Sequence, residues 1–130
     1  MHKTFLKLGA MLGGLTVIFG AFAAHAIKSR VNVETLAIFE TGVRYQMYHV
    51  FALVFVGILY KEFPFKTMLW AGYLFLAGII LFSGSLYLLT YFKAIGNENM
   101  YWLGAVTPFG GTCFIVGWFL ILKSFYNPTK

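Results

Sequence analysis

Polar positions are so sparse along this chain that they act as punctuation between long apolar runs. Four apolar stretches, at about 5–26, 43–60, 67–91 and 101–122, fill nearly all of its 130 residues. A helix needs about 20 residues to cross a hydrocarbon core about 30 Å thick, and each stretch meets or nearly meets that length. The other structure a bilayer permits, a barrel, uses strands that alternate polar and apolar over about ten residues. The run Trp70-Ala71-Gly72-Tyr73-Leu74-Phe75-Leu76-Ala77-Gly78 does not alternate. The pattern predicts an all-α, polytopic membrane protein, a four-transmembrane-helix bundle forming one domain.

The interruptions carry their own signals. Residues 28–41 form the longest polar stretch, yet Val33, Leu36, Ala37 and Val43 recur at helical spacing. A short interfacial helix between helices 1 and 2 is expected there, with Gly42 as a hinge into the second span. Lys61-Glu62-Phe63-Pro64-Phe65-Lys66 reads as a charged turn broken by Pro64, and the turn after the third span has Gly96-Asn97 at its tip. Within the spans, Gly9 and Gly13, Ala10 and Gly14, and Gly20 and Ala24 lie four apart, while Gly104 and Gly111, and Gly110 and Gly117, lie seven apart. Small residues at such spacing let helix backbones approach closely, and packing within the bundle is expected ahead of a dedicated dimer seam. Pro108 is expected to kink the fourth helix or delay its start.

Composition agrees with this picture. Hydrophobic residues are 60% of the chain and charged residues 11%, where a soluble domain carries roughly a quarter charged. The net charge of +6 does not imply nucleic acid, because no loop carries a run of Lys or Arg. Four crossings put Lys3, Lys7, Lys61, Lys66, Lys123 and Lys130 on the side of the termini, against Lys28, Arg30, Arg44 and Lys93 on the other. Basic residues mark the cytoplasmic side, so both termini are expected in the cytoplasm of a bacterial plasma (inner) membrane. Lys3 and Lys7 before an apolar run ending Ala24-His25-Ala26 imitate a signal peptide, but the run is long for one and reads as a retained first helix. Trp70, Tyr101, Trp102, Trp118 and Tyr126 suit interfacial aromatic belts. The single cysteine, Cys113, reads as a packing residue.

The chemistry-bearing residues gather in the half of the bundle away from the termini. On the second helix Arg44, Tyr45, Tyr48 and His49 fall within about 140° of one another, and Glu40 precedes Arg44 by the four residues that favour an ion pair. His25, Ser83, Ser85, Tyr87, Thr90 and Thr107 reach the same half, while the opposite half is Leu, Ile, Val, Phe and Gly. Ionisable groups inside spans suggest a functional site, and the competing interpretation is that they bond helices together. Two histidines without a third ligand at metal spacing do not make a metal or haem site, and no cofactor is expected. With no nucleophile motif, phosphate loop or paired intramembrane carboxylate, no enzyme is expected.

Four blocks in this order resemble the domain of unknown function 423 family (uncharacterised protein family 0382). They are Gly20-Ala21-Phe22-Ala23-Ala24-His25-Ala26, Phe39-Glu40-Thr41-Gly42-Val43-Arg44-Tyr45-Gln46-Met47-Tyr48-His49, Leu81-Phe82-Ser83-Gly84-Ser85-Leu86-Tyr87 and Thr107-Pro108-Phe109-Gly110-Gly111. Ala23 stands where the family pattern leads one to expect glycine. The resemblance implies a small bacterial inner-membrane protein with four transmembrane helices and an uncleaved first helix, and it brings no catalytic residues. Two functional expectations remain open. In one, Arg44, Tyr45, Tyr48, His49, His25, Ser83, Ser85 and Thr107 line a pocket for a lipid headgroup, quinone or other small ligand. In the other, the chain is a non-enzymatic scaffold or assembly partner, and its polar residues only lock the bundle. Membrane lipids, a second copy of the chain or another membrane protein are the expected partners.

Overall fold

The computed structural model describes residues 1–126, so Lys130, counted above on the side of the termini, lies outside the described residues. Four helical segments are long and apolar enough to cross a membrane: Lys3–Ile27, Val33–Leu59, Lys66–Ala94 and Glu98–Phe125. There is no strand among the described residues. The first span is capped by His2, whose Nδ1 accepts from the Phe5 amide at 3.3 Å. The second is capped by Asn32, whose Oδ1 accepts from the Thr35 amide at 2.8 Å. Each cap satisfies an N–H that the first helical turn leaves free. The turn between the third and fourth spans relies on Gly96, the one described residue with a positive φ, at +70°.

The segment before the second span is helical, but it is not a separate element. Val33–Leu59 is one helix of 27 residues, unbroken at Gly42. At 1.5 Å per residue it runs about 40 Å, beyond the hydrocarbon thickness, so its first turns can stand in the interface without a hinge. Gly42 serves packing instead: a Cβ there would lie 2.8 Å from the Tyr87 ring. Two spans contain π turns, at Ala23–Ile27 and Ile79–Gly84. The fourth begins as a 3-10 segment, Glu98–Ala105, and regular α winding starts only at Thr107, with Pro108 in its first turn. The proline therefore delays the helix, at a position where its missing N–H costs no bond.

The first span packs mainly on the second and the fourth mainly on the third, leaving spans two and three in the middle. Burial follows: the most apolar windows of the middle spans are each 44% buried, against 11% and 22% for the outer two. Phe5, Leu53, Val56, Met68, Ala71 and Phe75 are wholly buried and form the apolar core toward the termini. Glycines set the closest approaches. Gly110 lies against the backbone of Leu81 and Phe82 in the π turn, Gly78 against Phe114, and Gly72 against Phe5. Of the small-residue pairs in the sequence, Gly9 and Gly13 face the second span, and Gly110 and Gly117 the third. Gly14 has no neighbour within 4 Å, and Gly104 and Gly111 make only ordinary contact.

Candidate functional site

Polar residues of the spans form cross-span ties, and their geometry follows from which face of the second helix is buried. Because that helix runs from Val33 to Leu59, Gln46 stands at its middle and His49 past the middle toward the termini, not in the half away from them as expected. Thr35, Phe39, Gly42, Gln46, His49, Leu53 and Val56 are among the residues the helix turns inward. Gln46 joins three spans. Its Nε2 donates to Thr16 Oγ1 of the first span at 2.8 Å, and its Oε1 accepts from the Tyr87 hydroxyl of the third at 2.7 Å. Thr16 Oγ1 in turn donates to the Leu12 carbonyl at 2.7 Å. Around this centre Phe19, Phe39 and Tyr87 pack ring against ring, with Tyr87 5.0 Å from each of the other two.

His49 joins the second span to the fourth. Its Nδ1 lies 2.8 Å from the Tyr45 carbonyl, an acceptor only, so Nδ1 carries the proton. Its Nε2 then has a free lone pair and accepts from Trp118 Nε1–H at 3.2 Å. The ring stacks on Phe114, with centroids 3.4 Å apart and planes inclined by 6°. These partners define the neutral Nδ1–H tautomer and occupy both nitrogens. Neither is left for a metal or a ligand in this arrangement.

The serines complete the pattern. Ser83 Oγ donates to the Gly42 carbonyl at 2.7 Å, tying the π turn of the third span to the second. Ser85 Oγ donates to the Phe82 carbonyl at 2.9 Å and accepts from Thr107 Oγ1 at 3.1 Å. A further tie, Thr67 to Ser124 at 2.6 Å, lies near the termini in the half expected to be apolar. No buried side-chain nitrogen or oxygen among the described residues lacks a hydrogen-bond partner.

The expected pocket residues do not converge. His49, Ser83 and Ser85 are buried in separate ties, and Thr107 is half-buried at the last of these. Arg44, Tyr45 and Tyr48 are exposed on the outer side of the second helix. His25 lies with Ile18, Ala21 and Phe22 on a shallow outer surface of the first span. The expected Glu40–Arg44 ion pair is replaced: Arg44 Nη2 donates to Thr41 Oγ1 at 3.2 Å. Both members still border one shallow groove beside Ala23 and Ala24. At an exposed rim water competes with the pair, and holding two long side chains together gains little. Trp118, expected as an interfacial anchor, is exposed and also donates to His49.

Sequence reasoning passed over Gln46, Thr16 and Trp118 as site-building residues. A signal was available: Phe39, Gly42, Gln46, His49, Leu53 and Val56 keep three- and four-residue helical steps. That stripe selects Gln46 and leaves out Arg44, Tyr45 and Tyr48. At this end of the bundle lies a half-open cavity of about 220 Å³ bounded by Ile27, Arg30, Phe39, Tyr87, Thr90 and Tyr91, among others. Of the expected polar residues only Tyr87 and Thr90 reach it.

Comparison with known proteins places this architecture. The model of a family described as "Protein of unknown function (DUF423)" matches residues 19–111. The chain is 39% identical over 122 residues to UPF0382 membrane protein SAB0533 of Staphylococcus aureus, covering 92% of this chain and 93% of the relative. It is 40% identical over 121 residues to UPF0382 membrane protein YwdK of Bacillus subtilis, covering 92% and 94%. No solved structure matches it. The four sequence blocks, the four membrane-spanning helices and these relatives agree that the chain is a small membrane protein belonging to the DUF423 family.

Proposed function

We propose that this chain is a non-enzymatic scaffold or assembly component of the bacterial plasma membrane, whose buried polar residues lock the bundle. The observation that carries this reading is the complete satisfaction of buried polar side-chain atoms among the described residues. A pocket built for a polar ligand keeps donors or acceptors unspent until the ligand arrives. Here Gln46, His49, Ser83 and Ser85 spend theirs on the bundle itself. The outer spans then offer lipid-facing surface to a second copy or to another membrane protein. Names of bacterial relatives as membrane proteins support the location. The greater number of basic residues on the side of the termini supports a cytoplasmic placement for both ends.

The test is native mass spectrometry of the gently extracted protein, as wild type, Arg44→Ala and His49→Ala. The scaffold reading expects a homo-oligomer or a complex with another membrane protein. It expects no bound small molecule whose occupancy depends on Arg44 or His49. A stoichiometric small molecule that disappears in Arg44→Ala would overturn it and restore the pocket reading.

A further inference from the structure

The cavity of about 220 Å³ at the end opposite the termini is built unlike the polar ties beneath it. Three segments wall it: the turn after the first span with Ile27, Arg30 and Val31, the start of the second with Phe39, and the end of the third with Tyr87 and Thr90. Arg30 is the only charged residue in the wall, and no carboxylate borders the space. The hydroxyls of Tyr87 and Thr90 are already committed. The Tyr87 hydroxyl donates to Gln46, and the Thr90 hydroxyl donates to the Leu86 carbonyl at 2.9 Å. The result is an apolar interior with an exposed guanidinium among its bordering groups, and Lys28 two residues from it in the same turn.

We propose that this cavity is a binding site for one anionic membrane phospholipid, with the Arg30 guanidinium on its phosphate and part of an acyl chain or glycerol backbone against Ile27, Val31 and Phe39. A soluble polar metabolite finds the Tyr87 and Thr90 hydroxyls already spent. The space is also smaller than the roughly 300–1,000 Å³ of pockets that enclose a whole small molecule. A phospholipid needs only part of itself enclosed, since the rest stays in the bilayer. Guanidinium matches phosphate through paired N–H donors, and the charge of the Lys28–Arg30 turn favours a net anionic headgroup over a zwitterionic one. The site is independent of the scaffold reading: its cation is Arg30, not Arg44, and the Tyr87 hydroxyl stays committed to Gln46.

The full chain, extracted from bilayers of equal phosphatidylglycerol and phosphatidylcholine doped with oleate, is examined by native mass spectrometry. The wild type should retain one phosphatidylglycerol in preference to phosphatidylcholine. Arg30→Gln should lower that occupancy about tenfold, with the thermal midpoint of the lipid-free protein unchanged. Ala94→Leu, which fills the cavity wall without altering charge, should lower it as well, while Arg44→Gln should not. Equal retention of the two phospholipids, retention of oleate alone, or an Arg30→Gln protein that binds like wild type would overturn the proposal. An Ala94→Leu protein that still binds fully would also overturn it, reducing the effect to surface charge.

Discussion

The hydroxyl of Tyr87 lies 2.7 Å from Oε1 of Gln46, and this contact makes the cavity and the polar core neighbours. Tyr87 is part of the cavity wall on one side and part of a three-span tie on the other. Gln46 is the hub, because its amide alone presents a donor to the first span and an acceptor to the third. Lipid offers no hydrophobic drive between helices, so such directed contacts, together with close glycine packing, choose which faces meet.

Replacing the hub should therefore cost stability that replacing the outer cation does not. Gln46→Leu removes the bonds to Thr16 and Tyr87 and strands the tyrosine hydroxyl. At about 0.6 kcal/mol per interhelical bond, and up to about 1.7, a loss of about 1–2 kcal/mol is expected in reversible unfolding in bicelles. Arg44→Ala, which gives up one exposed bond to Thr41, should stay within about 0.5 kcal/mol.

Two glycines of opposite surroundings offer a second contrast. A Cβ on Gly110 would collide with the backbone of Leu81 and Phe82, while one on Gly14 meets nothing within 4 Å. Backbone cannot swing aside as a side chain can, so Gly110→Ala should destabilise by about 1–3 kcal/mol. Gly14→Ala should be neutral or stabilising, since alanine is the better helix former by about 1 kcal/mol. Thermal midpoints of the two variants in the same detergent should move in different directions or by clearly different amounts.

The tautomer of His49 is directly observable. Its neighbours, the Tyr45 carbonyl on Nδ1 and the Trp118 indole N–H on Nε2, specify a neutral ring protonated at Nδ1. Nitrogen NMR of selectively labelled histidine in lipid should show that state at pH 7. In Trp118→Phe the Nε2 resonance alone should move by an amount typical of a lost hydrogen bond. An Nε2–H tautomer in the wild type would contradict the assigned network.

Four crossings were legible because bilayer thickness dictates span length, and even the delayed start of the last helix followed from Pro108. The inward face of the second helix was harder to read. In a soluble helix the polar residues point outward and the core face shows itself. In a membrane helix the outward face is apolar too, and Phe51, Phe55 and Tyr48 are exposed on it. Choosing the face by chemistry, through Arg44 and Tyr45, landed on the outer side. Choosing it by the small-and-apolar stripe through Gly42 and Leu53 leads to Gln46. The cavity at Arg30 was not legible at all, since it depends on how the turn after Ile27 folds back over Phe39 and Tyr87.

The claim that the buried polar groups hold the helices together is tested most directly by a double-mutant cycle between Gln46 and Tyr87. Wild type, Gln46→Leu, Tyr87→Phe and the double variant are compared for unfolding free energy in bicelles. The account predicts a coupling of about 0.6–1.7 kcal/mol between the two positions, the range of interhelical hydrogen bonds in membranes. Additive losses, with no coupling beyond error, would contradict it and leave the tie between the second and third spans without energetic weight.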